Sequence, residues 1–531
     1  MSKVISAGDA AALIKDGAAV GAAALGLAGW PEELAIAMEK RFLASGHPAK
    51  LTFVHASGIG DWGTKGPQHF AHPGMIARWV GGHTALAPDF AKMVLSGGCE
   101  GYCLPQGVIS QLWREIAAHR PGLITKTGLN TFVDPRLEGG KLNKITTKDI
   151  VKVINLEGQE WLLYPSFKVD VAIIRGTLAD ENGNLTVEDE GALMESLPLA
   201  QAAKNCGGIV IAEVEHVVKA GTLHPKSVRV PGVLIDHVVV SGPGNHWQSA
   251  GTEFNLAYSG AIKVPLGDVP ELALTERLVI ARRAAMELVP GCSVNLGIGV
   301  PEGVADVAAE EGVSGLMTLT TEAGTIGGIP AGGHDFGMSL DAEAYVEQQV
   351  QFDWYNGGGL DIAFLGAAQV DATGNVNVSK FNGQFVGCGG FIDITQHAKK
   401  VVYCGSFTAG GLKVVPADGK LSIKHEGKAK KYVNKVEQIT FSGAYATKVK
   451  QPVLFITERA VFELQDGHLA LTEVAPGIDI EKDILAHMEF KPLMTGTPKP
   501  MPAGIFQPKW GGLQAILAAK SKGTSSKGNK S

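Results

Sequence analysis

Apolar residues recur along this chain with two periods, and the period changes at glycines. Ser6 to Lys15 carries apolar positions at helical spacing with Ser6 placed as an N-cap. Gly17 to Leu25, rich in small apolar residues, predicts a buried strand. A glycine turn, LGLAGWPEEL, follows, and Pro31 suits the first turn of a helix, where its missing N–H costs nothing. Leu34, Met38 and Phe42 then mark that helix's buried face. The order strand, glycine turn, helix is a doubly wound unit.

The same order returns in the second half. Leu274, Leu278, Ala281, Ala285 and Leu288 predict a helix ended by Pro290 and Gly291, and SVNLGIGVPEGVADV supplies the next strand and glycine loop. Pro301-Glu302 stands where Pro31-Glu32 stands, 270 positions later. A stronger repeat aligns VDVAIIRGTLADENGNLTV, from Val169, with LDIAFLGAAQVDATGNVNV, from Leu360. Asp170, Asp180, Gly183 and Asn184 face Asp361, Asp371, Gly374 and Asn375, each 191 positions apart. The chain therefore reads as two related open α/β domains of doubly wound type, the first half longer between these landmarks, with a ligand expected in the cleft between them. The expected boundaries are 1–245 for the first half, 246–264 for a Gly- and Ser-rich linker, 265–517 for the second half and 518–531 for a disordered tail.

Composition narrows the function. A net charge of −6 offers no broad attraction to nucleic acid or to an anionic membrane. No stretch reaches the roughly 18 unbroken apolar residues of a membrane span, and the N-terminal apolar run is too short for a signal peptide. Six cysteines without a CxxC pair fit a reducing, cytoplasmic compartment. The 69 glycines imply many tight turns or ligand-cradling loops.

Four stretches are candidates for chemistry. In MTLTTEAGTIGGIPAGGHDFG, from Met317, a strand breaks into a glycine loop at Glu322; the plain alternative is an exposed loop acid. In LPQG, Gln106 lies between Pro105 and Gly107 before a helix-like segment, either as a turn residue or as an amide donor for a developing oxyanion. NVSKFNGQFVGCGGFIDI, from Asn377, offers Gly387, Gly389 and Gly390 as a tight turn or as a row of N–H groups facing an anion, with Lys380 able to meet a phosphate. The loop with Gly297 and Gly299 resembles a dinucleotide fingerprint but lacks the complete GxGxxG and its acidic ribose ligand. His55, His69, His72 and His83 show no metal-ligand spacing, and no GxSxG is present. Cys103 has no evident histidine partner and is read as packing.

TEAGTIGG, LPQG, GCGGFIDI, ITFSG, ITERAVF and LHPKSVRVPG together resemble family I coenzyme A transferases, most closely the single-chain propionate or acetate CoA-transferases in which two subunit types are fused. The resemblance covers roughly residues 3 to 495. It implies that Glu322 is the nucleophile, carrying CoA as a glutamyl thioester. It implies that Gln106 and the amides at Gly389 and Gly390 form an oxyanion site. CoA would be held, as substrate rather than as a tightly bound cofactor, by Gly297, Gly299, Lys380, Asn382, Gly387 and Gly389. The family also implies a homo-oligomer, often a tetramer. Thr321 stands where valine is common and Cys103 where a polar residue is expected, and both bear on acyl-chain preference. An acyl-CoA hydrolase using the same glutamate, and an inactive CoA-binding sensor, are the alternatives.

Overall fold

In the computed structural model, which describes residues 3–265, 272–381 and 383–525, the chain divides into two compact units. The division is not sequential: the first unit takes residues 1–264, 321–354 and 383–393, and the second takes 265–320, 355–382 and 394–531. The stretch 246–264 belongs to the first unit, where Tyr258 Oη donates to Asp335 Oδ2 at 3.1 Å and Lys263 Nζ to the Ala342 carbonyl at 2.8 Å.

The first unit is built on seven strands, β1 (Ala19–Ala22), β2 (Leu51–His55), β3 (Ile76–Gly81), β4 (Glu100–Cys103), β5 (Val171–Asp180), β6 (Ile209–Val218) and β7 (His237–Val240). They lie in the order β7-β6-β5-β1-β2-β3-β4, and every pair is parallel. A parallel sheet is covered on both faces, which is why β5 reads VAIIRGTLAD with almost every side chain buried. The chain winds one way from β1 to β4 and the other from β5 to β7, so the order reverses between β1 and β5. Between β4 and β5 lies a small antiparallel sheet of Gly122–Thr125, Gln159–Pro165 and Lys152–Leu156.

The second unit repeats the plan with β8 (Cys292–Leu296), β9 (Met317–Thr320), β10 (Ile362–Leu365), β11 (Val401–Cys404) and β12 (Val453–Ile456), in the parallel order β9-β8-β10-β11-β12. The antiparallel strands Ala460–Gln465 and His468–Val474 extend it beyond β12. Val294, Phe364, Val402 and Ile456 from four of its strands form the centre of its core.

The sequence repeat survives as a repeated hydrogen-bond pattern. Asp170 Oδ2 accepts from the Ala19 N–H at 3.0 Å, tying β5 to β1, and Asp361 Oδ2 accepts from the Ser293 N–H at 2.8 Å, tying β10 to β8. Each aspartate is held below the ordinary carboxylate range because such bonds and a neighbouring lysine outweigh the cost of burial. Farther on, Asp180 Oδ1 accepts from the Asn182 and Asn184 N–H groups, and Asp371 Oδ1 from those of Thr373 and Asn375. A side-chain carboxylate that caps its own turn in this way explains why the Asp/Gly/Asn spacing recurs.

One expectation differs from the observed elements. The tail expected to be disordered from 518 is helical from Leu513 to Ser525, because Leu513 and Leu517 reach the core and Lys520 Nζ donates to the Met286 and Leu288 carbonyls. Residues 526–531 lie outside the described residues. Among the described residues no helix is long and apolar enough to cross a membrane.

The helix after β1, Glu32–Ser45, carries a proton-sensitive network. His69 bridges Glu32 at 2.9 Å and Glu39 at 2.6 Å, and His72 meets Glu39 at 2.7 Å. Burial alone would lower the pKa of His69, but the bonds to and charges of Glu32 and Glu39 outweigh it and raise that pKa. A raised histidine pKa stabilises the fold fully below the unfolded value, about 6.5, and the contribution is lost as pH rises through the folded value. His69→Gln is therefore expected to cost about 1.5–3 kcal/mol at pH 6, and distinctly less at pH 9, in denaturant titrations of the two proteins.

Candidate active site

The loops at the carboxyl ends of the first unit's strands are held by a few strong polar contacts. Arg175, a fully buried residue of β5, donates from Nη1 to the Leu27 and Trp30 carbonyls at 3.0 Å each, fixing the glycine turn after β1. Its other nitrogens form a forked pair with Glu190 at 2.9 and 2.6 Å. A buried arginine is tolerated because each donor has an acceptor and its charge has a partner. Gly26 lies against the turn after β2: its N–H donates to the Gly58 carbonyl at 2.8 Å and its carbonyl accepts from Gly60 at 2.9 Å.

The segment 321–354 packs on these loops. Gln348 Nε2 donates to Ser57 Oγ at 2.8 Å. A side chain at Gly337 would press on Leu25, at 2.7 Å. Glu322 stands at the corner of a turn closed by the Thr321 N–H to the Thr325 carbonyl at 3.0 Å. The Thr321 hydroxyl bonds Thr325 Oγ1 at 2.7 Å and the Gly337 carbonyl at 3.1 Å, and Thr325 Oγ1 continues to Ser339 Oγ at 2.9 Å. Gly324, at φ +99°, has no room for a side chain because the Val346 carbonyl fills that space. Thr321, whose identity bears on acyl preference by sequence, thus spends its hydroxyl inside the turn.

The segment 383–393 packs on the ends of β3 and β4. The Gly389 N–H donates to the Gly82 carbonyl at 2.8 Å, and the Gln106 N–H donates to the Gly389 carbonyl at 2.9 Å. Gln106 opens the helix Gln106–Ala117 and is 1% exposed, and its Nε2 has no partner among the described residues. A buried amide nitrogen without an acceptor is a donor held ready, since leaving it unpaired costs about 1–3 kcal/mol. Asp393, fully buried in the first turn of the helix Phe391–His397, accepts from the Gly107 N–H through Oδ2 at 3.0 Å. Gln106, Gly389 and Asp393 are therefore one bonded cluster.

Glu322 retains partial surface exposure, yet the protein around its carboxyl, and then the negative charge of Asp393, push its pKa up to about 7. The histidines of this region supply no positive charge at neutral pH: burial holds His55 and His83 at about 4. His55 instead accepts from Trp79 Nε1 at 2.8 Å. Cys103 Sγ donates to the Gly82 carbonyl at 3.3 Å and lies 3.6 Å from Cys388 Sγ. Burial raises the Cys388 thiol far above its ordinary value, so it is not a ready thiolate.

Of the residues expected at the site, Glu322, Gln106, Gly387, Gly389 and Gly390 fall in the first unit. Gly297, Gly299 and Lys380 fall in the second, the two glycines just past the carboxyl end of β8, where that sheet's strand order reverses. Lys380 is exposed. Asn382 lies outside the described residues. Asp393 was not singled out from the sequence, although its spacing from the glycines in GCGGFIDI was the available signal.

A profile of the coenzyme A transferase family matches residues 4–241 and 277–481. The chain is 51% identical to caffeate CoA-transferase of Acetobacterium woodii over 523 residues, 97% of this chain and 100% of that protein. It is 41% identical to acetate CoA-transferase YdiF of Escherichia coli K12, over 89% of each chain. Its fold matches the crystal structure of the acyl-CoA transferase YdiF of E. coli O157:H7 in a thioester complex with CoA. That match has a TM-score of 0.89 at 39% identity and covers 96% of this chain and 97% of that one. The α subunit of citrate lyase from Streptococcus mutans, 14% identical with a TM-score of 0.54, shares the fold.

Gly387 is the most exacting position of the cluster. It adopts φ +108°, and a Cβ there would stand 2.5 Å from the Gly82 carbonyl oxygen and 2.7 Å from His83 Cα, both backbone atoms that cannot rotate away. Gly387→Ala is expected to destabilise the protein by about 1–3 kcal/mol in thermal or denaturant unfolding and to speed amide exchange across 383–393.

Proposed function

The chain belongs to the coenzyme A transferase family, and we propose that it moves CoA from an acyl-CoA to a short-chain carboxylate of the acetate or propionate type, with Glu322 as nucleophile. One observation carries the reading. Glu322 occupies a tight turn closed by the Thr321 N–H to the Thr325 carbonyl, and the protein around its carboxyl pushes its pKa up to about 7.

Enclosure makes a carboxylate more basic and strips it of the water that would otherwise blunt its attack. In the proposed sequence an oxygen of ionised Glu322 adds to the acyl-CoA carbonyl carbon, and the C–S bond breaks. The products are an acyl-glutamyl anhydride and CoA thiolate. The thiolate adds to the glutamyl carbonyl, expelling the first acid as its carboxylate and leaving glutamyl-CoA. A second carboxylate reverses both steps. Sulfur leaves and returns as thiolate, so no net proton, metal or nucleoside triphosphate enters the balance.

Each tetrahedral intermediate places negative charge on oxygen. The unpartnered Gln106 Nε2 and the Gly390 N–H are the donors suited to receive it, the expected Gly389 N–H being already spent on the Gly82 carbonyl, and one such donor is worth on the order of 10² to 10³ in rate. The glycine loop at Gly297 and Gly299, with Lys380, is proposed for the remote part of CoA, whose binding energy can be used at the reacting centre. CoA is a substrate in this reading. We place the enzyme in the cytoplasm as a homo-oligomer.

A second acceptor class, an aromatic propenoic acid such as caffeate, is favoured by the 51% identity to caffeate CoA-transferase. A panel of C2 to C6 carboxylates with caffeate, assayed against acetyl-CoA, distinguishes the two by kcat/KM. Thiol release at full rate without any acceptor would show a hydrolase instead.

Acyl-CoA followed by borohydride or hydroxylamine is expected to modify the peptide containing Glu322, as read by mass spectrometry. Glu322→Ala is expected to lose both adduct and activity. An active alanine variant removes Glu322 from the mechanism. Because Glu322 must be ionised to attack, kcat/KM for acyl-CoA is expected to bend near pH 7 and to fall about tenfold per pH unit below it.

A further inference from the structure

The helix Gln348–Asn356 opens with glutamines where a buried helix would ordinarily carry apolar residues. Gln348, Gln349 and Gln351 are 0%, 3% and 1% exposed, beside a fully buried Phe352. A buried amide is costly unless it is bonded, so glutamines in these places are explained by what they hold. Gln351 Nε2 donates to the Thr321 carbonyl at 3.1 Å, which pins the turn that carries Glu322. One helical turn earlier, Gln348 Nε2 donates to Ser57 Oγ at 2.8 Å, in the loop after β2. Residues three apart lie on one face of a helix, so a single face holds both loops.

The next residues of the same helix meet the helix Gln106–Ala117. A Cβ at Gly107, the residue after Gln106, would stand 2.6 Å from Phe352 Cδ1. Arg114 forks onto Asp353, donating from Nη1 to Oδ2 at 2.7 Å and from Nη2 to Oδ1 at 2.5 Å, and Gln111 Nε2 donates to Oδ1 at 3.0 Å. Gly107, Gln111 and Arg114 follow one another at helical spacing, which puts them on one face of their helix. Both oxygens of Asp353 are thus used on the helix that Gln106 opens. All of these residues lie in the first unit.

We propose that residues 348–353 are a strut of the transfer reaction, with Asp353 as a positioning residue whose fork with Arg114 sets the place of the Gln106 donor relative to the Glu322 turn that Gln351 holds. The proposal rests on Glu322 as nucleophile and on Gln106 as a donor to the oxyanion. Both groups must meet the same carbonyl, one at its carbon and the other at its oxygen, and a misplacement of about 1 Å can cost about 10²-fold in rate. From Gln348 to Asp353 the helix rises only about 7.5 Å, a short and stiff span on which to hang the two loops. A regular element of this kind places reacting groups more precisely than a loop does. The side chains of Arg114 and Asp353 are 39% and 41% exposed. An ion pair that wet contributes little to stability, so its effect on rate can be separated from any effect on folding.

The test uses full-length protein. Asp353→Ala is expected to lower kcat, and the rate at which the Glu322 adduct forms in a single turnover, about tenfold each, while KM for acyl-CoA stays within about twofold. Its unfolding midpoint is expected to stay within about 2 °C of the wild type. Asp353→Arg combined with Arg114→Asp restores the pair with its charges exchanged and is expected to recover most of the lost kcat, whereas Arg114→Asp alone recovers none. A merely structural pair would lower the midpoint and leave kcat of the folded protein unchanged. Unchanged kcat in folded Asp353→Ala overturns the proposal, as does a loss that the exchanged pair does not recover or one that falls on KM instead of kcat. If Asp353→Ala does not fold, Arg114→Gln, which breaks the fork from its other end, carries the same comparison. Absence of a Glu322 adduct in the wild-type protein defeats the assigned nucleophile; an adduct with unchanged kcat in the variants defeats the strut alone.

Discussion

A carboxylate whose protein surroundings disfavour its charge is costly to build, and the loops of the first unit are shaped around holding it. The shift of Glu322 from 4.5 to about 7 corresponds to about 3 kcal/mol by which its surroundings disfavour the ionised form. That cost is met elsewhere in the same loops. Arg175 ties down the turn after β1 with its forked bond to Glu190, and the hydroxyls of Thr321, Thr325 and Ser339 form a short buried ladder under the Glu322 turn. Remove the rigidity and the carboxylate could relax toward water and recover an ordinary pKa. The raised pKa and the order around the turn belong together.

Much of the scaffold was legible in the sequence. Ser6 caps its helix as its spacing predicts, accepting from the Asp9 N–H at 3.1 Å, and the strands at Gly17, Val169, Val294 and Leu360 form where apolar runs end in glycine or aspartate. The two-fold repeat was legible because it depends on side-chain-to-backbone bonds from Asp170, Asp180, Asp361 and Asp371, which need particular residues at particular spacings. The site was legible in part. Glu322, Gln106 and the Gly387 to Gly390 loop stand out because glycine and proline bracket them. Their grouping in one unit was not legible, since no local pattern tells which sheet a loop will cover.

Asp393 illustrates the limit well. In the sequence it is one more acid in an amphipathic turn, and its importance comes from a bond to Gly107, 286 positions away. Thr321 stands where the resemblance expects valine, and its hydroxyl is committed to Thr325 and Gly337, a partnership that the sequence alone did not reveal. Residues next to a reacting group in sequence point to alternate sides of the chain, and one of those sides faces the protein.

The chain passes between its two units five times, at 264, 320, 354, 382 and 393. During synthesis the seven-stranded sheet can form once Val240 has emerged, but the loops on its carboxyl edge remain uncovered until residue 393 has left the ribosome, some 150 residues later. A gene broken in the stretch before residue 265 would yield two polypeptides of which neither carries the Glu322, Gln106 and Asp393 grouping. The first would have the sheet and the amide, and the second would have both acids. Such halves would be obliged to associate before either could act, and joining them in one chain makes that encounter independent of concentration.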